Sequence, residues 1–368
     1  MKIAMFSDTY YPQNNGAVVA IQRFSRELVK MGHEVHVFAP KGERVPAKES
    51  GITNHLFPSV SLHFYPEFRT ALPIPALKTF REMRKDFDIV HSHSMFAMGM
   101  RGYFAAKFFR LPLLGTFHTL IPEYTVYLSR RFESQLRKIS WSYCRSYYNL
   151  CDAVTTPTDS MVSLLRERGF SKQMHVISNG VDFKKFEDDG NAIREEYGIK
   201  GKLVLYLGRL SHEKRVSDLI RAKDHFDGTL MVCGSGPIRK ELEALSRGKD
   251  IIFTGFVPEE KKASYYRAAD VFGFPSTGDT QGIVILESFA AGTPVVATRS
   301  QGAVDMIADG KDGFIAEPRN PQDIGEKIQS ILADEPLRKK MSSNALDKAR
   351  EFSWEKCTGK LVEVYKSI

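Results

Sequence analysis

The stretch Lys202-Leu203-Val204-Leu205-Tyr206-Leu207-Gly208-Arg209-Leu210-Ser211-His212-Glu213-Lys214 decides the fold class. Lys202–Leu207 reads as a buried strand, and Gly208 ends it. An unbroken apolar run closed by a turn residue fits a parallel strand covered on both faces. Thr229–Cys233 is a second such run, closing in Gly234-Ser235-Gly236-Pro237. Ile251–Thr254, Val271–Phe274 and Val295–Ala297 continue the series, and Ile283–Ala291 reads as a helix between the last two. Strands alternating with helices imply βαβ units and a doubly wound parallel sheet.

The N-terminal half carries the same pattern. Lys2–Phe6 reads as a strand. Ala17–Met31 has helical spacing, with Ile21, Phe24, Leu28 and Met31 on one face and Gly32 closing the helix. Glu34–Ala39, Ile89-Val90-His91, Leu113–Phe117 and Ala153–Thr156 are further strands. Phe183–Lys200 is charged, has no strong strand and suits a linker, which puts a domain boundary near Val181. Phe352–Lys366 is amphipathic through Leu361, Val364 and Tyr365. At 368 residues, 42% hydrophobic and 26% charged, the chain suits two ordinary α/β domains.

Several classes are excluded. No apolar run reaches the roughly 18–20 residues of a spanning helix. The apolar start Met1–Phe6 is cut off by Ser7-Asp8, too soon for a signal-peptide core. Cys144, Cys151, Cys233 and Cys357 form no CxxC pair and read as free thiols of a reducing cytoplasm. The net charge of +8 is one-sided. Residues 1–180 hold 23 Lys and Arg against 14 Asp and Glu, and residues 181–368 hold 29 against 30. A basic half suits an anionic membrane or a nucleic acid, although from charge alone solvated surface is the better reading.

Four constellations carry chemistry. Asn14-Asn15-Gly16-Ala17 lies between the first strand and the first helix. A glycine there admits close backbone approach to an anion at the helix start, or simply makes a tight turn. Arg209 and Lys214 lie five residues apart at the carboxyl end of a buried strand, where open α/β sheets bind ligands. A planar guanidinium and a mobile ammonium there suit one diphosphate, unless they are idle loop charges. In Pro275–Glu287, Asp279 and Glu287 are eight residues apart across a turn containing Thr280, Gln281 and Gly282. A carboxylate flanked by Ile, Leu and Phe is costly unless it binds something polar, such as sugar or ribose hydroxyls. The bland alternative, with Asp279 only a helix cap and Glu287 a salt-bridged surface residue, fits those apolar surroundings poorly. His91-Ser92-His93-Ser94 and Gly115-Thr116-Phe117-His118-Thr119 close strands at the same edge. His91 and His93 have no metal-ligand partners at suitable spacing and read as hydrogen-bonded loop histidines. His118, just past a clean strand, is the more pointed candidate.

With Gly16, Thr116-Phe117-His118-Thr119, Ser178-Asn179-Gly180-Val181-Asp182, Gly208-Arg209…Glu213-Lys214, Gly234-Ser235-Gly236-Pro237 and Leu286-Glu287-Ser288-Phe289-Ala290-Ala291-Gly292 in this order, the chain resembles glycosyltransferase family 4 over nearly its whole length. The resemblance implies a GT-B fold, two Rossmann-like α/β domains facing across a cleft. Residues 1–181 would bind the acceptor, with 352–368 packing back on them, and 182–351 would bind the nucleotide sugar. It implies that the Gly16 amide approaches the donor diphosphate, that Arg209 and Lys214 neutralise it, that Glu287 holds the ribose, and that His118 contacts the donor sugar. Gly236, Thr280, Gln281 and Gly282 would complete the donor site. The family pattern is usually Glu-x7-Glu. Here Asp279 stands first, one methylene shorter, which puts the donor-sugar preference in question.

Asp279-Thr280-Gln281-Gly282 resembles a Glu-Thr-Gln-Gly variant, and Phe117–Tyr124 with Tyr127 resembles the diacylglycerol glucosyltransferases. That branch implies transfer of a hexose, glucose foremost, from a donor such as UDP-glucose to a membrane lipid on the cytoplasmic face. Retention of configuration is implied, by a front-face route in which the leaving phosphate helps deprotonate the acceptor. Without an Asp-x-Asp motif, no obligatory metal or other cofactor is expected. Domain closure is expected to hinge near Val181 and before the final helix. Residues Arg101–Leu114 and Arg130–Tyr148 mix Arg101, Lys107, Arg110, Arg130, Arg131, Arg137, Lys138 and Arg145 with aromatics, among them Phe104, Phe108, Trp141 and Tyr148. This suits interfacial membrane helices and, about equally, helices whose apolar face packs in the first domain's core while the charges are solvated. Two alternatives stay open. One is the same chemistry on a soluble saccharide. The other is a nucleic-acid-binding protein, for which no motif is present and which leaves Arg209, Lys214 and Glu287 idle.

Overall fold

The computed structural model describes residues 1–11, 13, 15–42, 48–49, 51–62, 65–71, 77–83, 86–123, 132–186 and 189–368. Asn14, Tyr124, Tyr127, Arg130 and Arg131 lie outside the described residues. The chain divides into two compact units, Met1–Asn179 with Trp354–Ile368, and Gly180–Ser353.

The first unit is built on β1 (Lys2–Phe6), β2 (Glu34–Pro40), β3 (Lys48–Glu49), β4 (Ile52–Phe57), β5 (Ser59–Leu62), β6 (Tyr65–Ala71), β7 (Ile89–Ser92), β8 (Leu113–Thr116), β9 (Ala153–Thr156) and β10 (Gln173–Val176). Its main sheet runs β10-β9-β8-β7-β1-β2-β4-β3. The pairings are parallel except β3 with β4, and β5 and β6 form a separate antiparallel pair. The period of two along a strand sorts the side chains to opposite faces. Ile3 and Met5 pack with helix Gly16–Lys30 and helix Trp354–Ser367 through Ile21, Leu28, Leu361 and Tyr365. Ala4 and Phe6 pack with helices Ala97–Phe109 and Glu133–Tyr148 through Met98, Ala105, Cys144 and Tyr148.

Helix Gly16–Lys30 is capped by Asn15, whose side chain accepts from Val18 N at 3.1 Å. Met31, expected on the buried face, is instead the exposed C-terminal cap, because the helix ends one residue earlier. Helix Ala97–Phe109 has no cap of its own at Phe96. Asp8, just past β1, supplies it from a distance, accepting from Met98 N at 2.8 Å, Phe96 N at 3.1 Å and Ser94 Oγ at 2.6 Å. Burial pushes the Asp8 carboxyl above its usual range against those hydrogen bonds.

The basic and aromatic segments divide between core and surface. Arg101 is buried, with its guanidinium 4.8 Å from the centre of the Phe57 ring, so it is not a surface cation. Trp141, Tyr147 and Tyr148 are core residues. Phe104, Phe108, Phe132, Ile139 and Tyr143 are exposed, as are Lys107, Arg110, Arg137, Lys138 and Arg145.

The second unit has β11 (Leu203–Leu207), β12 (Thr229–Cys233), β13 (Ile251–Gly255), β14 (Val271–Phe274), β15 (Val295–Thr298) and β16 (Gly313–Ala316). They form one parallel sheet in the order β13-β12-β11-β14-β15-β16. Leu203 and Leu205 face one layer with Tyr266, Ile285 and Phe289, while Val204 and Tyr206 face the other with Leu219, Ile220 and Ile328. Phe183–Lys200 is not a linker. It forms a 3₁₀ turn, Phe183–Phe186, and a short helix, Asn191–Glu196. Phe186 and Ile193 are buried in this unit's core, and Arg194 Nη2 bonds Asp270 Oδ2 at 2.9 Å. Of the charges that suggested a linker, Lys184, Lys185, Glu195 and Glu196 are exposed on these turns. Val181 N donates to Phe352 O at 2.7 Å, so the two crossing segments are joined within this unit. The four cysteines are free and buried, and burial pushes three of the thiols to about 12 and Cys357 to about 11.

Candidate active site

In an open α/β sheet, ligands sit beyond the carboxyl ends of the strands where the strand order reverses. In the second unit β11 is that point, with β12 on one side and β14 on the other. The loops leaving β11 and β14 are the ones that carry Arg209, Lys214 and Asp279.

The sheet order brings residues 65 positions apart into one ion pair. Lys214 Nζ lies 2.6 Å from Asp279 Oδ1 and 2.8 Å from Oδ2. Burial pushes the Asp279 carboxyl up, but Lys214, Ser276 and Arg209 outweigh it and hold it below its usual range. Asp279 is therefore ionised at neutral pH. It does not cap the following helix, whose cap position is Gly282. Arg209 Nη2 donates to Glu213 Oε1 at 3.1 Å, and Ser211 Oγ donates to the same oxygen at 2.5 Å. Glu213 thus orients the guanidinium from below, a role that went unassigned in the sequence.

Glu287 lies inside helix Ile283–Ala290 and is buried. Tyr266 Oη donates to its Oε2 at 2.9 Å, and Lys262 Nζ stands 3.7 Å from its Oε1. Lys262 also pairs with Glu259 at 2.6 Å. Burial raises the Glu287 carboxyl above its usual range, with Lys262 opposing, and burial of Lys262 is outweighed by the two carboxylates that raise it. Lys262 and Tyr266 were missed in the sequence. Their four-residue separation on helix Lys262–Ala268 was the available signal, since it puts both on one face.

Gly282 has φ +76° at the start of helix Ile283–Ala290, a conformation that glycine adopts without strain. Thr280 and Gln281 are buried, and Gln281 Nε2 reaches Met306 Sδ at 3.7 Å. The Gln281 side chain thus anchors the loop from inside and does not present its amide outward. At Gly236 a Cβ would lie 2.1 Å from the Leu210 carbonyl oxygen, so the loop has no room for a side chain there.

In the first unit the strand order reverses at β1, flanked by β2 and β7. Gly16 is exposed at the start of its helix. His91 lies inside β7 and is a strand residue, whereas His93, just past the strand, is a hydrogen-bonded loop histidine; both are buried. His91 Nδ1 lies 2.7 Å from Tyr365 Oη, and its Nε2 lies 2.6 Å from Thr116 Oγ1. Thr116 Oγ1 in turn meets Thr155 Oγ1 at 2.5 Å. His93 Nδ1 lies 2.8 Å from His118 Nε2. Burial lowers all three imidazoles, His91 and His93 well below the usual value and His118 to about 4. All three are neutral at pH 7.

These depressed values set the pH dependence of stability. The unfolded chain takes up protons on these side chains near pH 6.5, and the folded chain does so only lower. Stability is therefore full above about 6.5 and is lost as pH falls towards 4. The melting temperature should drop between pH 7.5 and 5, and in His118→Gln the stability–pH slope should flatten by up to about 1.4 kcal/mol per pH unit. A slope unchanged by that substitution would show that His118 titrates normally.

A family model described as Glycosyltransferase Family 4 matches residues 14–185, and one described as Glycosyl transferases group 1 matches residues 189–348. The alpha-monoglucosyldiacylglycerol synthase of Streptococcus pneumoniae is 30% identical over 370 residues, covering 91% of this chain and 83% of that protein. The chain belongs to glycosyltransferase family 4. It is a nucleotide-sugar-dependent glycosyltransferase and resembles the diacylglycerol glucosyltransferase branch of the family. Other members are similar too. The GDP-mannose-dependent alpha-mannosyltransferase of Corynebacterium glutamicum is 27% identical over 100% of this chain and 89% of its own. The crystal structure of the Anabaena protein HepE in complex with UDP-glucose superposes with a TM-score of 0.81 at 21% identity, covering 100% of both chains. That likeness shows the fold, which is GT-B.

Proposed function

We propose that this family 4 enzyme transfers a hexose, glucose foremost, from a donor such as UDP-glucose to a membrane lipid such as diacylglycerol, with retention of configuration. The Lys214–Asp279 ion pair beside Arg209, at the point where the strand order reverses, carries this reading. Glycosyl transfer builds positive charge on the sugar and negative charge on the departing diphosphate, so aligned charges are the main catalytic means. Lys214 and Arg209 receive the diphosphate, helped by amides near Gly16 and Gly282. Asp279 holds the transferred sugar's hydroxyls, Glu287 holds the ribose, and His118 contacts the sugar. With both oxygens on Lys214, Asp279 is a poor nucleophile, which favours front-face departure over a covalent intermediate. The two cations at the diphosphate make a divalent ion dispensable.

The lipid acceptor is supported by the Streptococcus pneumoniae relative and by the first unit's surface. Phe104 and Phe108 are 52% and 70% exposed on helix Ala97–Phe109, beside the exposed cations Lys107 and Arg110. An apolar stripe flanked by cations suits the interface of an anionic membrane. Among the described residues no helix is long and apolar enough to cross a membrane. We place the enzyme peripherally, on the cytoplasmic face, with residues 1–181 serving the acceptor and 182–351 the donor. A soluble acceptor is the second reading, favoured by the D-inositol 3-phosphate glycosyltransferase of Corynebacterium glutamicum at 28% identity.

The test is release of nucleoside diphosphate from a panel of nucleotide sugars, with and without diacylglycerol-containing vesicles. Lipid-dependent release that is abolished in Glu287→Ala is the expected result. Release only with soluble acceptors would retain the chemistry and remove the membrane role. A glycosyl adduct trapped on Asp279 would overturn the front-face route.

A further inference from the structure

Among the described residues, three buried side-chain nitrogens of the first unit have no hydrogen-bond partner, Trp141 Nε1, His175 Nε2 and His93 Nε2, and the last of them adjoins His118. His93 is 5% exposed, and its Nε2 has no hydrogen bond. It borders a small pocket lined by Phe24, Thr116, Thr155, Ile177 and Asn179. The nearby Thr116 hydroxyl is already engaged with His91 and Thr155. The other nitrogen of His93, Nδ1, lies 2.8 Å from His118 Nε2, and the two rings are inclined by 20°.

Two imidazole nitrogens at hydrogen-bond distance need one proton between them. Both rings are neutral, so each carries one N–H and one bare nitrogen. Only two arrangements remain. If His118 donates from Nε2, the single proton of His93 must sit on its own Nε2, a buried N–H with no acceptor. If His93 donates from Nδ1, what is left unpaired on Nε2 is a lone pair. Buried N–H groups without acceptors are the rarer defect, because a stranded donor forfeits its full hydration.

We propose that His93 fixes His118 in the tautomer with its proton on Nδ1, so that His118 meets the donor sugar as a hydrogen-bond donor and not as a base. The consequence for catalysis rests on the reading of His118 as a sugar contact. The tautomer itself does not. His93 is a positioning residue. It touches no reacting atom, and it acts by deciding which nitrogen of His118 carries the proton.

The experiment is long-range ¹H–¹⁵N NMR on the full chain labelled at histidine, with His118 assigned by the signals lost in His118→Gln. The expected spectrum shows a pyrrole-like Nδ1 and a pyridine-like Nε2 for His118 at pH 7. His93→Asn keeps an N–H at nearly the same place and should preserve that pattern. His93→Leu should lose it and lower kcat/KM for the nucleotide sugar about tenfold, while His93→Asn stays within about threefold of the parent. A wild-type His118 protonated on Nε2 would overturn the proposal, and so would equal losses in the two variants with the pattern unchanged. If His93→Leu does not fold, the wild-type spectrum alone decides. That spectrum is read without turnover, so a chain inactive towards every donor would refute the functional reading and leave the tautomer assignment standing or falling on its own.

Discussion

Replacing Lys214 with alanine should lower kcat/KM by about 10²–10³, with the loss mainly in kcat. The ammonium is held in place by both oxygens of Asp279, at the carboxyl end of β11 where a departing diphosphate would gather charge. Its attraction grows as the glycosidic bond breaks, which makes it a transition-state interaction. The same substitution strands a carboxylate. Asp279 has its folded value held below the ordinary one, so it adds stability at pH above about 3.8 that is lost as pH falls through the folded value. Without Lys214 that contribution vanishes at neutral pH, at a cost of about 1–2 kcal/mol. Lys214→Ala combined with Asp279→Asn should recover most of the stability and none of the activity. Steady-state kinetics and thermal melts on both variants check this. A Lys214→Ala enzyme within tenfold of the parent would remove Lys214 from the catalytic machinery.

Gly234→Ala should prevent the second unit from folding normally. Gly234 has φ +142°, and a Cβ there would lie 1.8 Å from the Gly208 carbonyl oxygen, closer than atoms can approach. The loops after β11 and β12 are laced together by Gly208 N to Cys233 O at 3.0 Å and Leu210 N to Ser235 O at 2.9 Å. Relieving the clash means parting those loops, so the cost should exceed about 4 kcal/mol, a fall in melting temperature of about 10 °C or more. Gly236→Ala should also destabilise, through its contact with the Leu210 carbonyl. Gly201→Ala is the control, since nothing lies within 4 Å of a Cβ there. Expression in the soluble fraction and calorimetry separate the three. A Gly234→Ala protein melting with the parent would show that the two loops are not held this closely. On the expected outcome, part of the sensitivity of activity to these glycines comes through stability and not through contact with the donor.

The central strands were legible because each is buried on both faces. Leu203–Leu207 and Val271–Phe274 are unbroken apolar runs. Gln173–Val176, at the sheet's edge, is only partly buried and carries Gln173 and His175, so it left no such signature. Ile52–Phe57 interrupts its apolar residues with Asn54 and His55, both buried. His55 is satisfied by His36 at 2.8 Å, a partner nothing in the local sequence announces. Helix spacing likewise put Trp141 among membrane-facing aromatics, although the tertiary core claims it.

By itself the sequence determined the alternation of strands and helices, the two βαβ series and the residue types available at their strand ends. Those properties are written in periods of two and 3.6 residues, which act over a single element. Only the tertiary structure decided that Lys214 meets Asp279, that Tyr266 and Lys262 share Glu287, and that His93 is left with one nitrogen unpaired. Each of those depends on which strands lie side by side. That order is set by the burial of whole faces over long separations, and a local period carries no record of it.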